Sequence, residues 1–326
     1  MDTLSLHRDL TVFDGLVLSA PTRAVFEDIH KGGITAANFT CSIWEDFRGT
    51  MQNVARWKNW ITEHSDILRP VHSVADIRRA KTENKVGVSL GWQNCTGIDD
   101  QLGFLQLYKE LGVGFIQLTY NTQNLIGTGC FESRDSGLSD FGREAVHEMN
   151  RVGIAVDLSH VGSKTCEETI RHSKKPVCYT HTCPRALRDH PRNKTDDELR
   201  AIAERGGFIG VTRFTVLLKR GQNSDIEDYV DAIEHTINVA GEEHVGIGTD
   251  MVQDQPAALT EFCIRDKGYG RYVTDLGTVK ELKGLERHHE LPNVTAAMVA
   301  RGWTETRIRR VMGENWLTYL GDVWGE

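Results

Sequence analysis

Three residues of this chain have types and positions suited to chemistry at one shared site: His160, His181 and Asp250. Each closes a short apolar run: Gly153-Ile-Ala-Val-Asp-Leu-Ser-His160, Pro176-Val-Cys-Tyr-Thr-His181 and His244-Val-Gly-Ile-Gly-Thr-Asp250. A buried strand that stops on an imidazole, with a helix-like stretch directly after it, is how barrel enzymes mount a metal ligand or a proton carrier. A carboxylate beside two imidazoles suits general acid–base work. The bland reading of the same three residues is two satisfied core histidines and a helix N-cap.

The elements that must position them follow one grammar: a short apolar, β-branched run, a polar stop, then an amphipathic segment. Strands are predicted at 11–19, 33–41, 85–92, 114–121, 153–160, 176–181, 207–213 and 244–250. They read as continuous apolar runs, as parallel strands buried on both faces do. Thr195-Asp-Asp-Glu198 and Ser224-Asp-Ile-Glu227 are capping boxes that open helices, and Gly206 and Gly241 stand where those helices stop. Eight strands in strict alternation with helices predict an α/β chain folded as one (β/α)8 TIM barrel over residues 1–326, with extra helices at the C-terminal end. No Gly-rich phosphate turn follows the first strand to favour an open doubly wound sheet. The segment Gly268-Tyr-Gly-Arg-Tyr272 is too irregular for a simple helix.

Barrel catalysis sits on the carboxyl ends of strands. In chain order these offer Leu16 and Leu18, Cys41 with Trp44, Trp92 with Gln93 and Cys95, Tyr120 with Asn121 and Asn124, then Asp157, His160, His181, Arg213 and Asp250. The second half supplies ionisable groups, while the first half supplies apolar, aromatic and amide groups. A two-metal centre needs roughly five or six histidine and carboxylate ligands. This inventory predicts one metal at most.

The formal net charge of −8 over 326 residues argues against nucleic acid as a partner. The start, Met-Asp-Thr-Leu-Ser-Leu-His-Arg-Asp, has neither a cationic region nor an apolar core, and no apolar run approaches membrane-spanning length. Seven cysteines, an odd number, fit reduced thiols. The expectation is a cytoplasmic homo-oligomer acting on a small molecule, without a membrane partner.

Several longer segments carry a family likeness: Phe141-Gly-Arg-Glu-Ala-Val-His-Glu-Met-Asn150, the run ending at His160, Asp189-His-Pro-Arg-Asn193 with Thr195-Asp196, Gly206-Gly-Phe-Ile-Gly-Val, Val245-Gly-Ile-Gly-Thr-Asp250 and Met312-Gly-Glu-Asn315. In these the chain resembles the membrane (renal) dipeptidase family of zinc metallopeptidases. The resemblance implies an amidohydrolase-like barrel with a two-zinc centre that cleaves dipeptides. It places the family's two second-half zinc histidines on His160 and His181, its substrate-carboxylate arginine on Arg192 and its catalytic aspartate on Asp250. The family's first strand ends Asp-Gly-His-x-Asp, where this chain has Asp14-Gly-Leu16-Val-Leu18. Its bridging glutamate is matched by Gln93 or Asn94, and its catalytic histidine by Tyr120 in Leu118-Thr-Tyr-Asn121. Leucine cannot ligate, and a neutral amide brings no charge to hold a metal pair. The chain therefore reads as a divergent member.

Tyr120 either lines the barrel mouth or polarises a carbonyl. Trp44, Trp92 and Tyr120 follow consecutive strands and converge as a cage for a methylated ammonium, or else cap the core. Gln93 and Asn121 join the substrate-binding set. Asp157 is expected to orient a neighbour. Cys41, Cys95 and Cys130 read as small buried hydrophobes or as sulfur ligands. Two functions follow. One is a dipeptidase-type hydrolase acting on the amide bond of a carboxylate-bearing dipeptide or N-substituted amino acid, with at most one zinc on His160 and His181. The other is a metal-free, non-peptidase barrel for a methylated amine.

Overall fold

The computed structural model describes residues 2–263, 268–273 and 279–325. Its strands are β1 (Phe13–Val17), β2 (Ala36–Ser42), β3 (Leu68–Pro70), β4 (Val86–Trp92), β5 (Val113–Gln117), β6 (Ala155–Asp157), β7 (Cys178–Thr182), β8 (Phe208–Val211) and β9 (Val245–Ile247). Eight of them pair in parallel in the order β1-β2-β4-β5-β6-β7-β8-β9. The ring is drawn together where β9 meets β1. Met251 bridges Val17, Asp250 N donates to Leu16 O at 3.0 Å, and Leu18 N donates to Met251 O at 2.9 Å. Helices surround this nearly closed (β/α)8 barrel, as its apolar strands require. Among the described residues no helix is long and apolar enough to cross a membrane.

The same seam is locked by a side chain. Asp14 accepts from Thr249 N at 2.7 Å, Thr249 Oγ1 at 2.5 Å and Leu16 N at 3.2 Å. The floor is closed from the C-terminal end. A π-helical turn at Arg310–Glu314 brings Gly313 so near Thr11 O that a Cβ would sit 1.9 Å from it. Asn315 then donates to the carbonyls of Glu242 and Val245 at 2.7 and 2.9 Å. The Trp316 ring follows, 4.1 Å from Phe208 and 5.5 Å from Phe13 between centroids, and its Nε1 donates to Ile247 O at 2.9 Å. The Met-Gly-Glu-Asn motif is thus a plug for the barrel, which leaves the opposite end for chemistry.

Several expectations shift. β3 was not expected; three residues long, it pairs only with β4, outside the ring. The run expected at 153–160 is a strand only over Ala155–Asp157, because the Asp157 carboxylate turns the chain by accepting from Ser159 N at 3.0 Å and Ser159 Oγ at 2.6 Å. His160 is therefore in the turn beyond β6. The capping box at Thr195 is present, but the second one is Asp225 with Asp228, one residue later than Ser224. Of the irregular segment after Asp250, Gly270–Val273 is a short helix; the stretches 264–267 and 274–278 lie outside the described residues.

Candidate metal and active site

The two imidazoles meet at the open end of the barrel, with His160 Nε2 and His181 Nε2 3.0 Å apart. Their neighbours fix which nitrogen carries the proton. Thr180 Oγ1 donates its proton to Asp157 Oδ2 at 2.6 Å, so toward His181 Nδ1, 2.8 Å away, it can only accept. His160 Nδ1 donates to Asn121 Oδ1 at 2.6 Å. Both Nδ1 atoms are thus protonated, and both Nε2 atoms present lone pairs to each other. At 3.0 Å such lone pairs repel unless a cation stands between them. A proton is a poor occupant. Burial holds His160 and His181 well below the usual histidine range, and Arg192 pushes both further down.

The donor set fits one metal ion better. Two imidazole nitrogens on a tetrahedral zinc, each at about 2.0–2.1 Å, lie about 3.3 Å apart, close to the separation found here. The hydrogen-bonded partner on each Nδ1 is the arrangement that orients metal-binding histidines. Among the described residues, however, no group of three or more His, Cys, Asp or Glu side chains comes within reach of one ion. The described residues therefore bring together two imidazoles where catalytic zinc sites usually have three protein ligands.

Arg192 is buried behind the pair. Its Nη1 donates to Ser159 O, and its Nη2 donates to His181 O at 2.7 Å. Lys194, also buried, donates to Val161 O at 2.7 Å and lies over the Tyr179 ring at 5.1 Å. The half-buried Asp250 follows β9 with φ of 55°, and Asn121 has φ of 61°. Asparagine and aspartate tolerate this left-handed region best among non-glycine residues. Loss of water pushes the Asp250 carboxyl up to about 7; Arg192 and Arg213 oppose the shift, while Asp14 and Asp157 add to it. A carboxyl poised there suits proton transfer near neutral pH.

The first half of the mouth is apolar. Tyr120 stacks on His160, ring centroids 4.2 Å apart and 22° between planes, and Trp44 meets Tyr120 edge-on at 5.4 Å. Trp92 corrects the expected three-ring cage. It packs edge-on against Tyr108 at 4.3 Å, on the same strand face as Val88 and Leu90, turned toward the helix layer. Alternation along β4 sends it outward. Leu16 is buried, and Leu18 packs in a cluster with Ile43, Tyr120 and Cys263. Gln93 is buried with Nε2 donating to Thr40 Oγ1 at 3.0 Å, and Asn94 Oδ1 accepts from Asn124 at 2.8 Å. Cys41 and Cys95 are buried thiols, the latter pushed up to about 12 by burial, so neither is a thiolate near neutral pH. Cys130 is half-buried, its Sγ 3.9 Å from Asn121 Oδ1. Ser159 and Thr180, which fix Asp157 and the His181 tautomer, were not singled out from the sequence. The signal was a hydroxyl directly preceding each histidine.

Comparison with known proteins gives a consistent assignment. A family model described as membrane dipeptidase (peptidase family M19) matches residues 19–262. An uncharacterized dipeptidase of Schizosaccharomyces pombe is 33% identical over 245 residues, covering 68% of this chain and 59% of that protein. The chain thus spans about three fifths of the length of this curated relative. The crystal structure of an amidohydrolase from Pseudomonas aeruginosa is 51% identical, with all of both chains covered and a TM-score of 0.97. A metallo peptidase from Rhodobacter sphaeroides, solved with a phosphinate mimic of the dipeptide L-Ala-D-Ala, shares the fold at a TM-score of 0.81 and 20% identity, over 96% of this chain and 99% of that one.

Proposed function

Because the chain belongs to the membrane dipeptidase family, we propose that it is a metallohydrolase that cleaves the amide bond of a small carboxylate-bearing substrate, a dipeptide or an N-substituted amino acid, with at most one zinc ion. The observation that carries the reading is the pair of Nε2 lone pairs, 3.0 Å apart and buried, each set by a partner on Nδ1. His160 and His181 would hold the ion. When bound, zinc supplies the Lewis acidity that an amide carbonyl requires.

The chain's own residues do the rest. Asp250, with its raised pKa, takes a proton from the attacking water and returns it to the leaving amine. The Arg192 guanidinium has five N–H donors, of which two hold the carbonyls of Ser159 and His181; it supplies positive charge for the substrate carboxylate. Tyr120, stacked on His160, shields that imidazole from water and faces the substrate beside it. The resemblance places Leu16 and Leu18 at the positions of the family's histidine and aspartate for the other ion, which supports one zinc rather than two. No specific observation favours the metal-free, methylated-amine reading, since Trp92 is not in the mouth.

The test is hydrolysis of a panel of dipeptides by protein reconstituted with zinc. Turnover is expected with zinc and not after chelation, and Asp250→Asn should retain zinc while losing roughly 10²- to 10⁴-fold in kcat. Full turnover in Asp250→Asn, or activity indifferent to chelation, contradicts the proposal.

A further inference from the structure

Next to the histidine pair lies an apolar feature that the proposed hydrolysis leaves unused. Tyr120, which stacks on His160, shares one apolar cluster with Leu18, Ile43, Leu259 and Phe262. Those last four side chains also line a cavity of about 260 Å³, together with Trp57 and Trp60. Tyr120 is not itself on the cavity lining, so this apolar cluster is what connects the cavity to the candidate site. Pockets for whole ligands run about 300–1,000 Å³, so this one has the size for a single arm of a substrate.

Its chemistry is equally specific. The charged residues on its lining are Glu45 and Arg56. The Glu45 carboxylate is committed: Oε2 accepts from Ile43 N at 2.8 Å and Trp44 N at 3.1 Å, and Oε1 accepts from Asn53 Nδ2 at 2.9 Å. Arg56 is exposed and donates to Asn53 Oδ1 at 3.1 Å. Ser19, Thr40, Ser42, Asn53 and Gln255 complete a polar side, but against the wall formed by Leu18, Ile43, Trp57, Trp60, Leu259 and Phe262 a charged group would lose water without gaining a partner, whereas an apolar group gains by leaving water. Leu18 belongs both to that apolar wall and to the cluster around Tyr120.

We infer that this cavity is the specificity subsite of the enzyme and takes a bulky apolar side chain of the substrate, aromatic or long aliphatic. The inference rests on the hydrolase reading of the neighbouring histidine pair. It predicts that dipeptides of the forms Xaa-Ala and Ala-Xaa differ at one of the two positions, with kcat/KM for Phe or Leu exceeding that for Gly or Asp by about 10- to 100-fold. Leu259→Trp, which fills the cavity from a partly exposed helix, should collapse the Phe-to-Gly ratio toward one. Ile43→Ala, which enlarges the cavity, should shift the preference further toward the aromatic side chain. Equal kcat/KM for Phe and Gly at both positions, or a ratio untouched by both variants, overturns the subsite. If no dipeptide is cleaved, calorimetry with N-acetyl-phenylalaninamide decides. Binding to the wild type that is lost in Leu259→Trp keeps the apolar subsite and removes only the dipeptidase reading. No binding overturns the subsite as well.

Discussion

At His181 the line of donors runs unbroken from a buried carboxylate to a lone pair: Thr180 gives its proton to Asp157 and accepts from Nδ1, so Nε2 is left bare toward His160. If this line sets the metal affinity, Thr180→Val should weaken zinc binding by roughly 10- to 100-fold and Thr180→Ser should restore it; chelator competition measures both, and unchanged affinity in the valine variant contradicts the assignment. Arg192 carries a second residue-scale prediction. Lysine lacks the planar fork that grips two carbonyls and a carboxylate, so Arg192→Lys should raise KM by roughly 10-fold or more, and an unchanged KM would leave Arg192 only its bonds to Ser159 and His181. The imidazoles were legible in the sequence because each ends an apolar run. Ser159 and Thr180 were not, since a hydroxyl at a strand end reads equally well as turn chemistry or β-propensity. Trp92 was misplaced by one step of alternation, which turns a side chain from the barrel mouth to the helix layer.

Among the elements, the β1–β9 seam depends on one buried carboxyl. Burial pushes Asp14 up from 3.8 to about 6 against its bonds from Thr249 and Leu16. Its folded-state value therefore lies above its unfolded one, so its contribution to stability is fully present below the unfolded value and is lost as pH rises through about 6. Asp14→Asn keeps an acceptor for the Thr249 amide without a titrating proton. The stability difference between wild type and this variant should be most favourable to the wild type near pH 4, and should shift against it by about 3 kcal/mol by pH 8, from about two pKa units at ~1.4 kcal/mol each. Urea midpoints across that range measure it; a difference that shifts toward the wild type with rising pH contradicts it. The eight barrel strands were readable from their apolar runs, but their ends were not. Asp157 cuts β6 short by capturing Ser159, and β3, with three residues, has too little pattern to register.

Across the whole molecule, one end of the barrel is sealed by Trp316 and the other is divided into a polar half around His160, His181, Arg192 and Asp250 and an apolar half around Tyr120, Trp44 and Leu18. That division was visible in the sequence as ionisable strand ends in the second half and leucines and rings in the first. What the sequence left unread was the link between the halves, the stacking of Tyr120 on His160, because contacts across a barrel mouth leave no periodic trace in the chain. We propose that this division leaves room for one ion. Zinc titration of the metal-free protein, followed by elemental analysis after gel filtration, tests it most directly. No more than one equivalent of zinc per chain is expected, lost in both His160→Ala and His181→Ala; two equivalents, or one that survives the loss of both imidazoles, would overturn the single-ion site.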